Sequence, residues 1–433
     1  MKRFFILLSI SLFALTACIK GDGGAEVPKS YIIDAIEMDA TTLNCAVDEA
    51  LKLGYTDLAI TLTANPEIEK ITAIRRAICD AESISDGSIN LTLAGVKVIP
   101  DATGNKGDSF GRKLEPNGSV EVVTRIASIN LPAVEYIGDY TFQYCTVASV
   151  KAPALQELGD LVFYESGIRS IYIPAAVTEI PDRAFQNCQN LASVEIMSGV
   201  TTIGANAFHS CTALKSVKFA SGSRLEYIGE FAFENTGLES ITIPSSVTNL
   251  EERSFQYNEN LKTIKFQEGS QLKSIKYQTV YQCPKLTSFV IPKGVTCLEN
   301  QSFQGCGITS IGIPNTVTSM GGAFAGCYTL EEVIFEEGCE LTEIGVNTFM
   351  MTNLISIKIP ASITKLAGAS FYKCKALESV TLLASEVVAI ESDTFYEADN
   401  LTTIYVPADL VDDYKVADVW RDYSEKIEAI AAK

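Results

Sequence analysis

A chain of 433 residues in which 47% are hydrophobic is too long and too apolar to be a disordered tail. It sets 34 basic residues against 53 acidic ones, and a formal net charge of −19 makes nucleic acid and anionic lipid headgroups poor partners. Length alone would suggest two or three domains, a prior that an internal repeat overrides.

Met1-Lys2-Arg3 followed by the apolar run from Phe4 to Ala14 reads as a signal peptide over residues 1–17, too short and wrongly flanked for a spanning helix. It ends in Leu15-Thr16-Ala17-Cys18, which resembles the bacterial lipoprotein box. The resemblance implies a lipidated Cys18 as the first residue of an exported chain. That chain would be held at the bacterial outer membrane by its acyl groups and exposed at the cell surface. Lys20-Gly21-Asp22-Gly23-Gly24 makes residues 18–30 a flexible tether. Removing the signal takes away Lys2 and Arg3 and no acid, so the mature chain is more acidic still.

Residues 31–126 read as an α/β N-terminal cap. Leu43, Ala46, Val47, Ala50 and Leu51 share one helical face that stops before Gly54, and Ile71, Ile74 and Ile78 mark a second helix. Leu58, Ile60 and Leu62 alternate as a strand, as do Ile89, Leu91 and Leu93. Residues 103–119, with four glycines and Pro116, read as a loop.

From residue 127 to 403 one short sentence repeats about every 23 residues, shown by Leu191, Val194, Ile196, Val200, Ile203, Phe208, Cys211 and Leu214. Central strand positions fall at Ile129, Val150, Ile171, Val194, Val217, Ile241, Ile264, Phe289, Ile311, Val333, Ile357 and Val380, with Ile404 after them. A unit this short cannot bury its own apolar face and must stack on copies of itself. The Leu-x-x-Val-x-Ile spacing is that of a leucine-rich repeat. The fold expected is a solenoid of about 12–13 coils, each with one short strand, stacked in parallel. Gly222-Ser223 and Gly269-Ser270 are insertions expected to lengthen a turn without disturbing the core. In residues 404–433, the spacing of Leu410, Val411, Tyr414, Trp420, Tyr423, Ile427 and Ile430 predicts a helical cap over the last coil.

With these residues in view, the chain resembles the BspA-like leucine-rich-repeat proteins of bacterial surfaces. The matching motif, Ile-Pro-x-x-Val-Thr-x-Ile-x-x-x-x-Phe-x-x-Cys, runs from Ile173 to Cys188 and recurs in shifted form from Ile313 to Cys327. Val280 departs from it where Phe is expected. The resemblance implies an exported surface protein used for binding or adhesion, without naming the ligand.

Candidate chemistry is sparse. Of twelve cysteines, Cys145, Cys188, Cys211, Cys283, Cys306, Cys327 and Cys374 share one repeat position and read as small buried core residues. Cys45 and Cys79 in the cap stay open as a disulfide pair. His209 is the sole histidine, expected on the surface in solvent, so no multi-His metal site exists. Acid pairs such as Glu251-Glu252 read as solvated charge, and no phosphate loop, EF-hand loop or metalloprotease motif occurs. No cofactor, metal or catalytic residue is expected.

Two outward rows remain as binding surfaces. The middle strand position carries Tyr172, Glu195, Lys218, Val290, Gly312 and Ile334, and its Val290-Gly312-Ile334 run is unusually apolar. The position after the core Phe carries Tyr164, His209, Tyr281, Tyr372 and Tyr396. The expectation is a non-enzymatic surface protein binding a host or bacterial protein or glycan. The rivals are a carbohydrate-processing accessory or hydrolase, which needs converging carboxylates, and a plain envelope spacer.

Overall fold

The computed structural model describes residues 30–81, 89–101, 110, 112–114, 120–122 and 126–431. The signal segment, Cys18 and the tether up to residue 29 lie outside the described residues.

The described chain opens with β1 (Ser30–Asp34), α1 (Ala40–Lys52), β2 (Asp57–Thr61), α2 (Ile68–Asp80) and β3 (Ile89–Ala94). Asp39 starts α1: its carboxylate accepts the Thr42 N–H at 2.7 Å and so satisfies one of the free donors of the first turn. Leu43, Val47, Ala50 and Leu51 are the buried face. The three strands are parallel, and β3 passes the sheet on to Ile126–Asn130. One eight-stranded parallel sheet therefore runs from Ser30 through Ser216–Phe219, without a break where the repeats begin.

Each repeat makes one coil, and three parallel ladders stack it on the next. The first joins the strands named by the central Ile or Val, as in Ser170–Ile173 beside Ser193–Ile196. The second joins two-residue strands such as Glu179–Ile180 and Thr202–Ile203. The third lies in the turn around the core Phe. There, alternate N–H groups donate to the next coil: Arg183 to the Ala205 carbonyl, Phe185 to Ala207 and Asn187 to His209, at 2.8–2.9 Å. This alternation holds two residues per coil at positive φ, Arg183 at 56° and Asn187 at 61° for example. Left-handed backbone is unfavourable for L-residues and persists where surrounding bonds over-determine it.

The core is a set of columns. Phe142, Phe163, Phe185, Phe208, Phe233 and Phe255 are fully buried and stacked at 5.2–5.3 Å between ring centres. Phe303 to Phe395 continue the column beyond Val280. The ring of Phe289, at a strand position where most coils carry Ile or Val, meets Phe303 edge-on at 4.8 Å. It supplies bulk in the coil next to the one where Val280 replaces Phe.

The seven repeat-position cysteines are buried free thiols. Five of them donate from Sγ to the core-Phe carbonyl of the preceding coil, as Cys188 does to Phe163 at 2.8 Å, Cys211 to Phe185 at 3.0 Å and Cys327 to Phe303 at 3.1 Å, and Cys306 donates to the Val280 carbonyl at 3.0 Å. Asn258 fills the same position in its coil and donates to the Phe233 carbonyl at 2.8 Å. Cys45 and Cys79 are free thiols, not a disulfide.

The structure corrects several expectations. The coil with Phe289 has no strand in the first ladder, which also stops after Phe219 and Phe335. Phe219, Phe266 and Phe335 close the strands before the three interruptions; Gly222 and Gly269 follow two of them in the inserted turns, and Gly338 follows the third. The insertions thus leave the core columns intact but interrupt strand pairing. The predicted loop at 103–119 holds part of an antiparallel pair, Arg112–Leu114 with Val120–Val122, and the rest of it lies outside the described residues.

The C-terminal helical cap is replaced by short turns. Helix Val411–Val416 ends where Ala417 turns extended, and Val419 at φ 61° precedes a 3-10 stretch, Trp420–Lys426. Ile427–Ala429 then pairs with Thr403–Val406 as one more parallel strand. Helical spacing of apolar residues was satisfied by a fold-back: Tyr414 and Trp420 are buried, and the Trp420 ring lies 6.2 Å from Phe395.

Candidate ligand-binding surfaces

Alternation along each strand sends the central residue and the one two positions on inward, and the middle one outward. Parallel register then lines the middle residues up: Tyr172 beside Glu195 beside Lys218, and Gly312 beside Ile334. Tyr172 is 50% exposed, Val290 79% and Ile334 54%, so these apolar groups stand in solvent. Glu195 and Lys218 are joined by a 2.7 Å ion pair, and that hydrogen bond with the carboxylate raises the Lys218 ammonium above its ordinary range.

The second row belongs to the Phe-bearing turn, on a different side of the coil, and its rings are engaged with one another. Tyr372 lies parallel to Tyr396 at 5.6 Å, with the Lys373 ammonium 5.0 Å from the Tyr372 ring centre. Tyr281 meets Tyr257 edge-on at 5.6 Å, and Tyr164 meets Tyr144 at 5.7 Å. Burial is the main reason the Tyr164 phenol is pushed up. Tyr164, Tyr281 and Tyr372 are half-buried, and Tyr396 is the exposed one. His209 is not a solvated surface group: its Nδ1 lies 2.9 Å from Glu234 Oε2, and Gln256 donates to the other Glu234 oxygen at 3.0 Å. The two rows do not converge.

A third feature was not read from the sequence. Between Met320 and Phe324 the coil is one residue shorter than its neighbours, Leu298 to Phe303 and Ile344 to Phe349. The missing residue is the one that aligns with Asn300 on one side and Val346 on the other. A cavity of about 480 Å³ opens there, floored by Gly321 and walled by Tyr277, Glu299, Asn300, Val346 and Asn347. The signal was present as a missing letter, which a search for recurring residues passes over. Among the described residues no group of three His, Cys, Asp or Glu is placed to hold a metal ion. No helix among them is long and apolar enough to cross a membrane.

Stacked parallel coils with inward Leu/Ile, Phe and Cys columns define a leucine-rich-repeat solenoid. The model of the BspA type leucine rich repeat region matches residues 122–224, 190–308 and 296–414, in six copies. The chain belongs to that family. Among solved structures it is similar to a leucine-rich cell surface protein from Faecalibacterium prausnitzii. The identity is 23%, over 76% of this chain and 86% of that one, with a TM-score of 0.39. A leucine-rich repeat protein from Eubacterium ventriosum is 20% identical over 79% and 89% of the two chains, with a TM-score of 0.45. The pneumococcal vaccine antigen PcpA is 20% identical over 78% and 91%, with a TM-score of 0.41. None of the curated proteins compared with the chain matches it.

Proposed function

We propose that the chain is a non-enzymatic binding or adhesion protein of the bacterial surface, lipidated at Cys18, that presents its strand face to a protein or glycan. The observation that carries this reading is the exposure of Val290 and Ile334, at 79% and 54%: Ile334 stands beside Gly312 in strand register, and Val290 takes the equivalent place in the preceding coil, where the ladder is interrupted. Exposed apolar side chains carried on a stacked, well-packed array are a contact surface that needs little ordering on binding. Tyr172, with Glu195 and Lys218 beside it, extends the same row toward the N-terminus. Solenoids commonly bind along such a face.

The test is an array of host and bacterial surface proteins and glycans probed with the chain from residue 25 onward. Saturable binding is expected, weakened at least tenfold by Val290→Asp combined with Ile334→Asp. Both side chains stand in solvent, so the melting temperature should stay within a few degrees of wild type. Binding that ignores the double substitution, or an array without a hit, overturns the reading.

A further inference from the structure

We propose that the cavity over Gly321 is a binding site for one neutral sugar residue, separate from the strand face. Its geometry follows from the shortened coil. Neighbouring strands lie about 4.8 Å apart, so the backbones of the coils carrying Asn300 and Val346, two steps from each other, stand roughly 9–10 Å apart, and the Asn300 side chain narrows the slot between them. The space over Gly321 is open, since a Cβ built there meets no atom within 4 Å, whereas over Gly322 the Asn300 Oδ1 leans in and takes the place a Cβ would have. The second ladder stops at this point, since Ser319–Met320 pairs with Cys297–Leu298 but not with Glu343–Ile344. A volume of about 480 Å³ falls in the range of small-molecule sites, about 300–1,000 Å³.

The lining decides the ligand class. Asn300 and Asn347 each offer an amide that donates and accepts, and no side-chain hydrogen bond ties either to another described residue. Glu299 is fixed in place by one oxygen, which accepts the Tyr277 N–H at 2.9 Å, and its other oxygen is an acceptor for the slot. Tyr277 is held as well, with the Arg253 guanidinium 5.1 Å from its ring centre. A fixed phenol ring, an apolar Val346 and a mixture of amides with one carboxylate suit a ring with hydroxyl edges and C–H faces. Lysine and arginine are missing from the lining, so an anion finds no countercharge, and a single carboxylate already engaged with a backbone N–H is a poor cation site.

The experiment is saturation-transfer NMR on the exported chain with methyl glucoside, methyl galactoside, methyl mannoside and N-acetylglucosamine. At least one should give saturable transfer at millimolar concentration. Gly321→Leu, whose Cβ meets no atom within 4 Å, puts bulk into the slot and should lower that affinity at least tenfold, with an unchanged melting temperature. Asn300→Ala, which removes an amide and leaves the backbone alone, should weaken it severalfold. The proposal is overturned if none of the four sugars binds, if Gly321→Leu binds as wild type does, or if a Gly-Asn-Ser peptide competes equally well. Neither substitution touches Val290 or Ile334, so failure here leaves the strand-face reading to its own test.

Discussion

At the scale of single residues, the cysteine column shows how a reactive group becomes a structural one. Burial pushes the Cys145 and Cys327 thiols up to about 12, from about 9 in the unfolded chain. A group that holds its proton more tightly when folded contributes stability fully below the unfolded value and loses it as pH climbs toward the folded one. The melting temperature should therefore fall steadily from about pH 9 upward, and Cys327→Ser should flatten the decline. Measured between pH 7 and 11, a level profile would show these thiols to be accessible. Buried phenols such as Tyr414, also raised by burial, add to the slope in the same direction. The column was legible because Cys recurs at one position, and so was its inward direction. Its bonds to the Phe carbonyls were not, since they depend on how far one coil rises above the last. The His209–Glu234 pair was hidden for the same reason: its partner lies 25 residues away and belongs to no pattern.

Elements were legible where periodicity specifies a face, and they failed where the backbone changes hand. The apolar positions after Leu410 keep a helical spacing, yet Val419 adopts a left-handed conformation that ends any helix through it. That reversal turns Trp420 back so that its Nε1–H donates to the Val388 carbonyl at 2.6 Å, while Val388 N–H donates to the Tyr414 hydroxyl at 3.0 Å. Trp420→Ala should cost about 3–5 kcal/mol, the usual range for emptying a buried aromatic site. Because coils touch only their neighbours, hydrogen exchange should rise in residues 380–431 and stay unchanged near Ile171. Equal loss of protection along the whole array would contradict that local picture. Strand interruptions after Phe219, Phe266 and Phe335 were beyond the sequence reading as well. An insertion announces a longer turn, but says nothing about whether the next strand still reaches its neighbour.

For the whole molecule, charge is the property that acts at every coil. Ion pairs such as Lys262–Glu239 at 2.9 Å are exposed, so water and salt screen each of them. The uncompensated excess of acid, −19, repels itself along the array. The Debye length shrinks from about 30 Å at 0.01 M salt to about 3 Å at 1 M. Over that range of sodium chloride the melting temperature should rise. A fall would mean that the exposed pairs outweigh the net repulsion.

The placing of the ladder interruptions has a mechanical consequence. From residue 126 on, the first ladder is cut after Phe219, around Phe289 and after Phe335, and the second after Leu158, Leu250 and Met320. No seam in one coincides with a seam in the other, much as courses of brick overlap their joints. The Phe-turn bonds run past all of them, with Phe233 N–H donating to Ser254, Phe303 to Ala323 and Phe349 to Ser370. A crack opened between any two coils therefore meets mortar that has not yet given way, and the rod bears load as one body.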